Sequence, residues 1–185
     1  AYLSGVNIVR DACQHPVIGK YINKVMFEEL METLNLPKEE LQQFAGDVLE
    51  RFVNPFVDHQ VTSIMLNSFP KYETRDLPGL KTYLQRKGEL PKGLVLGLAA
   101  IITYYKGGVR EDGAEIVPND APEIMALLKE LWATGDTRKV AEGVLAEESI
   151  WKGNLNEISG LTDLVVEYLD SIQAVGMLET VKGIV

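Results

Sequence analysis

The chain has 185 residues, 46% hydrophobic and 24% charged, enough for one well-cored domain or two small ones. Its formal net charge of −9 and pI near 4.8 argue against nucleic acid or an anionic membrane surface as a main partner, because both need a basic face. A single cysteine, Cys13, excludes an intrachain disulfide and fits a reducing, cytoplasmic setting, and no run approaches the roughly 18 apolar residues of a membrane span.

Helical periodicity dominates from the start. Val6 to Cys13 reads as a short helix. From Pro16, Val17, Ile18, Tyr21, Ile22, Val25, Met26, Leu30 and Leu34 recur on one side at three- and four-residue steps. Pro37 opens a second amphipathic helix with the stripe Leu41, Phe44, Ala45, Val48, Leu49 and Phe52; Glu39 and Glu40 suit its positive N-terminal end. Asn54 then reads as an N-cap and Pro55 as the first position of a helix running to Pro70. A short helix is expected from about Pro78 to Lys87, ended by Gly88, and an apolar one from Pro91 to Tyr105. The stretch from Lys106 to Pro122 breaks the pattern, and its glycines predict an irregular loop or small hairpin near 107–118. Helices resume after Asp120 and end at Gly135; Asp136 caps the next, and Gly153-Asn154 turns into a last one for which Ser159 or Thr162 is placed to cap. The sum is an all-α domain of about eight to ten helices; a split near residue 110 is the less favoured arrangement.

Several chemistries have no signal. There is no GxGxxG or GxxxxGK[ST] nucleotide loop, no HExxH, no CxxC and no GxSxG. Cys13 and His15 alone are a weak metal pair, and the acidic runs EELMET and KEELQQ read as solvated faces. The chain begins at Ala1 in helical-looking sequence with no start signal, which reads either as a segment of a longer protein or as loss of an initiator Met.

One polar row stands out. His59, Ser63 and Asn67 recur every fourth residue on the expected 55–70 helix, about 40° apart around its axis, and Lys71 follows four later. A solvated face with Lys71 capping the last carbonyls is the plain reading. Yet only Asp58 is charged between Pro55 and Pro70. Uncharged donors and acceptors beside one ammonium suit a sugar acid, whose hydroxyls need hydrogen bonds and whose carboxylate needs a cation.

These residues carry a resemblance. RFVNPFVDHQVTSIMLNSFPKYETRDLPGL resembles the C-terminal domain of the polyol-specific long-chain dehydrogenases, the mannitol dehydrogenase family. Within it, His59, Gln60, Ser63, Ile64, Asn67 and Lys71 look like the branch that interconverts D-altronate and D-tagaturonate; LPKGLVLGLAAIITYYKG, VLAEESIW and the C-terminal segment extend the match. The resemblance implies an enzyme of two domains: an N-terminal nucleotide-binding domain that holds NAD, and a helical substrate domain, here 1–185. It implies hydride transfer without a metal, catalysed by a Lys-x4-Asn-x2-His motif. That motif is not in this chain, because Ala12 and Phe56, not Asn, stand three residues before His15 and His59. The chain alone is therefore expected to be inactive, with no catalytic or cofactor-binding residue. Its implied partners are a small sugar acid and its own N-terminal domain, not nucleic acid or a membrane. Lys71 matches a substrate-pocket lysine, and Ser63 falls where mannitol-type members tend to carry arginine. The competing readings are a free-standing helical interaction module, or the same family acting on fructuronate or mannitol.

Overall fold

The computed structural model describes residues 1–185. Twelve α-helical segments follow in order: α1 Val9–Gln14, α2 Ile18–Asn23, α3 Lys38–Phe52, α4 Val61–Met65, α5 Ser68–Lys71, α6 Leu77–Lys87, α7 Lys92–Tyr104, α8 Pro122–Ala133, α9 Thr137–Ala146, α10 Glu148–Trp151, α11 Leu161–Val175 and α12 Met177–Lys182. The sole sheet is a hairpin of β1 Gly108–Val109 and β2 Glu115–Ile116, within the predicted window, with Gly108 opposite Ile116. The all-α expectation therefore holds. The segment count exceeds eight to ten because expected helices are subdivided: 55–70 yields only α4 and α5, and the one after Asp136 breaks at Glu147. No helix is long and apolar enough to cross a membrane.

The core is built around α7. Leu94, Val95, Leu96, Leu98, Ala99 and Ile102 of α7 are buried, so this helix is apolar almost all round and needs cover on every side. α11 supplies Leu161, Val165, Leu169 and Ile172, and α9 supplies Val140, Ala141, Val144 and Leu145. Phe69 of α5 is fully buried, stacked on Tyr105 at 5.0 Å and edge-on to Trp151 at 5.6 Å. That aromatic anchor fixes α5 against the bundle.

The fourth side of α7 faces an N-terminal layer. α2 runs on into a π-helical stretch, Lys24–Leu30, then a 3-10 turn, Met31–Thr33. Glu29, expected on a solvated acidic face, is only 3% exposed. Its Oε1 and Oε2 accept the N–H groups of Gly93 and Leu94 at 2.7 and 2.8 Å. These N–H groups lie in the first turn of α7, where no intrahelical acceptor exists and water is excluded. The Tyr21 hydroxyl donates to the Gly93 carbonyl at 2.9 Å and the Tyr72 hydroxyl to the Leu94 carbonyl at 2.9 Å. Gly93 has no Cβ because one would meet Val25 Cγ2 at 2.7 Å and both Glu29 carboxylate oxygens at 2.9 Å. Alanine's helix propensity advantage of ~1 kcal/mol is outweighed there by overlap.

Other local signals hold. Asp136 Oδ1 accepts from Arg138 N and Lys139 N as the cap of α9, and Gly88 (φ +73°) closes α6. Others do not. Neither Ser159 nor Thr162 caps α11, whose N-cap is Gly160; the Thr162 hydroxyl donates to Asn156 instead. His15 Nδ1 accepts from Val17 N and Ile18 N, so the imidazole serves the start of α2. Leu34 and Phe44, placed on core stripes, are 51% and 65% exposed.

Glu29→Ala leaves two buried N–H groups without an acceptor and lowers stability by about 2–4 kcal/mol in urea unfolding. Burial pushes the Glu29 carboxyl above its usual 4.5, and the two N–H donors oppose this only in part. The folded state then holds that proton more tightly than the unfolded chain, so Glu29 favours folding most at acidic pH and loses that contribution as pH rises through the raised value. The stability of wild type relative to Glu29→Gln accordingly falls as pH rises from the ordinary glutamate value, about 4, through the raised one.

Candidate functional site

The expected 55–70 helix does not form as one piece, and the cause is in the backbone. Asn7 O accepts from Val61 N at 2.8 Å, and His59 O accepts from Val9 N at 2.9 Å, around an antiparallel bridge between Ile8 and Gln60. Backbone groups used in that bridge are unavailable to a helix. Asn54 caps no helix; its Oδ1 accepts from Phe56 N at 2.9 Å in a local turn. Arg10 pins the loop through Asp58 at 2.9 Å and the Pro55 carbonyl at 3.3 Å. A second break follows α4: Leu66 is extended (ψ 134°) and Asn67 is left-handed (φ 54°, ψ 51°).

The four predicted residues therefore do not share a helix face. His59 lies in the bridge, Ser63 on α4, Asn67 at the left-handed break and Lys71 at the end of α5, with the first three exposed. Lys71 lines a cavity of about 320 Å³ between α1, α2, α4, α5 and α7. Its Nζ donates to the Ile64 carbonyl at 2.7 Å, so it also closes the C-terminal end of α4.

The cavity wall is largely apolar: Val9, Ala12, Ile22, Val61, Ile64, Met65 and Ile101. A smaller cavity of about 180 Å³ adjoins it and shares Ala1, Val61, Met65, Ser68 and Ile101. Polar atoms on the larger wall are few. Ser68 Oγ is committed to the Met65 carbonyl at 2.5 Å, and the Tyr72 hydroxyl to Leu94. Asp76 is the remaining carboxylate there. Burial raises its carboxyl above the usual value, with Arg75 opposing. Burial and the nearby Asp76, Tyr21 and Glu29 push the Tyr72 phenol well up.

Sequence reasoning missed Asp76 and Tyr72. The available signal was a charged run, KYETRD, one residue after the buried Phe69, where an acid is free to turn inward with its helix. It was obscured because Asp76 precedes Leu77-Pro78 and resembles a helix-boundary residue; no cap bond forms from it.

Residues 1–173 match the family described as the mannitol dehydrogenase C-terminal domain, and the chain belongs to that family. It is 84% identical over 184 residues to an altronate oxidoreductase of Phocaeicola vulgatus, aligning across 100% of the chain and 38% of that protein. Identity is 40% over 179 residues to an altronate oxidoreductase of Bacillus subtilis, across 96% of the chain and 35% of that protein. The chain thus spans little more than a third of the length of these relatives. Among solved structures, the Pseudomonas fluorescens mannitol 2-dehydrogenase ternary complex with NAD and D-mannitol superposes with a TM-score of 0.83 at 21% identity, covering 98% of this chain and 36% of that one. That likeness establishes the shared fold.

Asn67 sits where an L-residue with a Cβ is strained but glycine is not. Asn67→Gly is expected to leave thermal stability within about 0.5 kcal/mol, and Asn67→Val to cost about 1–2 kcal/mol, read by differential scanning calorimetry.

Proposed function

We propose that this chain is the helical substrate-binding domain of a cytoplasmic, NAD-dependent oxidoreductase that interconverts D-altronate and D-tagaturonate. What carries the reading is 84% identity, over the whole chain, to relatives named altronate oxidoreductase. The cavity chemistry agrees. An ammonium at the lip of an apolar recess offers a counter-charge to a sugar-acid carboxylate, and low surrounding polarity strengthens that attraction. Lys71 is the substrate cation in this reading. His59, Ser63 and Asn67, exposed on the segment leading to Lys71, do not line this cavity, and Lys71 alone of the four carries the substrate role in this reading.

The nicotinamide cofactor belongs to another part of the longer protein. A dinucleotide crevice needs a parallel βαβ unit with a glycine-rich turn, and the residues here build only a two-stranded hairpin. This chain therefore does not fit NAD by itself. Its proposed partners are the sugar acid and the N-terminal nucleotide-binding domain of the same protein.

Two measurements test the proposal. The full-length enzyme should oxidise NADH with D-tagaturonate at a kcat/KM at least about 100-fold above that with D-fructose, given a charged contact worth ~2–3 kcal/mol, and also above that with D-fructuronate, which carries the same carboxylate and must be told apart by its hydroxyls. Equal rates on fructose or fructuronate, or no turnover of tagaturonate, would contradict it. Lys71→Ala should lower kcat/KM for tagaturonate about 100-fold, mainly through KM, because it removes the carboxylate's counter-charge.

A further inference from the structure

We infer that Asp76 is a second substrate contact in the Lys71 cavity: a carboxylate that accepts hydrogen bonds from hydroxyl groups of a polyhydroxy acid. The inference rests on the cavity being the substrate site, as proposed above, and adds a residue to it.

Asp76 lines the same cavity as Lys71 and is half-buried. Its carboxylate makes no hydrogen bond and no ion pair within the protein and is only partly shielded from water, so its acceptor sites are open on the cavity side. The other inward acid of this region, Glu29, takes two N–H donors. Asp76 is the one left with open acceptor sites on a cavity wall. Burial raises its carboxyl, as expected for a group lacking donors.

The local helix geometry explains how Asp76 comes to share a wall with Lys71. On an α-helix, residues five apart point about 140° away from each other. Residues Tyr72–Asp76 are π-helical, and Leu77 N bonds to Tyr72 O, five residues back. Such widened turns bring residues five apart toward the same side, and they recur at functional sites. Lys71 and Asp76 are five apart. They do not form an ion pair with each other, because the ammonium is held by the Ile64 carbonyl. One cation and one free acceptor therefore stand apart on an otherwise apolar wall. That arrangement matches a ligand with an anionic end and a row of hydroxyls.

The test uses the full-length enzyme, with wild type, Asp76→Ala and Asp76→Asn assayed on D-tagaturonate, D-fructuronate and D-fructose under saturating NADH. Thermal melts verify folding. For the substrate that wild type turns over best, Asp76→Ala is expected to raise KM roughly 10- to 100-fold, as for a lost hydrogen bond to a charged acceptor. KM for NADH should not move. Asp76→Asn, which keeps one acceptor oxygen, should recover at least half of that loss on a logarithmic scale. A set of monodeoxy analogues adds a readout that a structural role would not move: one analogue should lose its penalty in Asp76→Ala. An unchanged KM in Asp76→Ala, or equal shifts for sugar and NADH, overturns the role of Asp76 and leaves the proposed activity standing. A wild type that prefers fructose overturns the altronate assignment, while the Asp76 ratios on fructose still decide this inference. A wild type inert on all three sugars overturns both.

Discussion

The structure depends on how the first turn of α7 is satisfied. This helix is buried nearly all round, so its leading N–H groups cannot reach water. Glu29 comes from more than sixty residues earlier in the chain to accept two of them. Once that carboxylate is seated, Gly93 is obligatory, and the Tyr21 and Tyr72 hydroxyls close over the neighbouring carbonyls. The N-terminal layer and the C-terminal bundle are joined at this point by directional bonds as well as by apolar packing. Tyr72 lies between Lys71 and Asp76 on the chain. The bond that orients Tyr72 therefore also helps set where those two side chains stand.

The aromatic anchor works from the other end of the same segment. Phe69 is held between Tyr105 and Trp151, and the Trp151 indole donates to the Val144 carbonyl at 2.7 Å. α5 runs on without a break through the π-helical turn Tyr72–Asp76 into α6. Its position is inherited from Phe69 on one flank and Tyr72 on the other. Lys71 sits between these two fixed points, so its ammonium can be placed at the cavity although the preceding loop has little regular structure.

Much of the fold was legible in the residues. The apolar periodicity of α3, α7 and α11, the Asp136 cap, the Gly88 stop and the glycine-marked hairpin all depend on neighbours within a few positions, and all appear. What was not legible depends on partners far along the chain. Asn54-Pro55 is a sound helix start by local rules, but Asn7 and Val9 take backbone groups on either side of Gln60 and no helix can begin there. Glu29 reads as solvated beside Glu28, and only the buried end of α7 turns it inward. Lys71, which the resemblance singled out, lines a cavity, whereas the row with His59, Ser63 and Asn67 assumed a helix that two backbone breaks remove.

The two breaks also have a chemical consequence. Had 55–71 formed one helix, the Ile64 carbonyl would have bonded to the N–H four residues on, leaving nothing to hold the Lys71 ammonium. With α4 ending at Met65, that carbonyl is free and takes Lys71 Nζ. A lysine that donates to one carbonyl keeps its remaining donors, and here it pairs with no carboxylate. In an apolar cavity an internal ion pair would use up both charges, and an incoming anion would meet no net attraction. Separation of the pair keeps a cation available for the acid end of a ligand. The irregular backbone from Asn54 to Asn67, the part least predictable from local sequence, is thus what leaves the Ile64 carbonyl free to hold the Lys71 ammonium at the cavity wall.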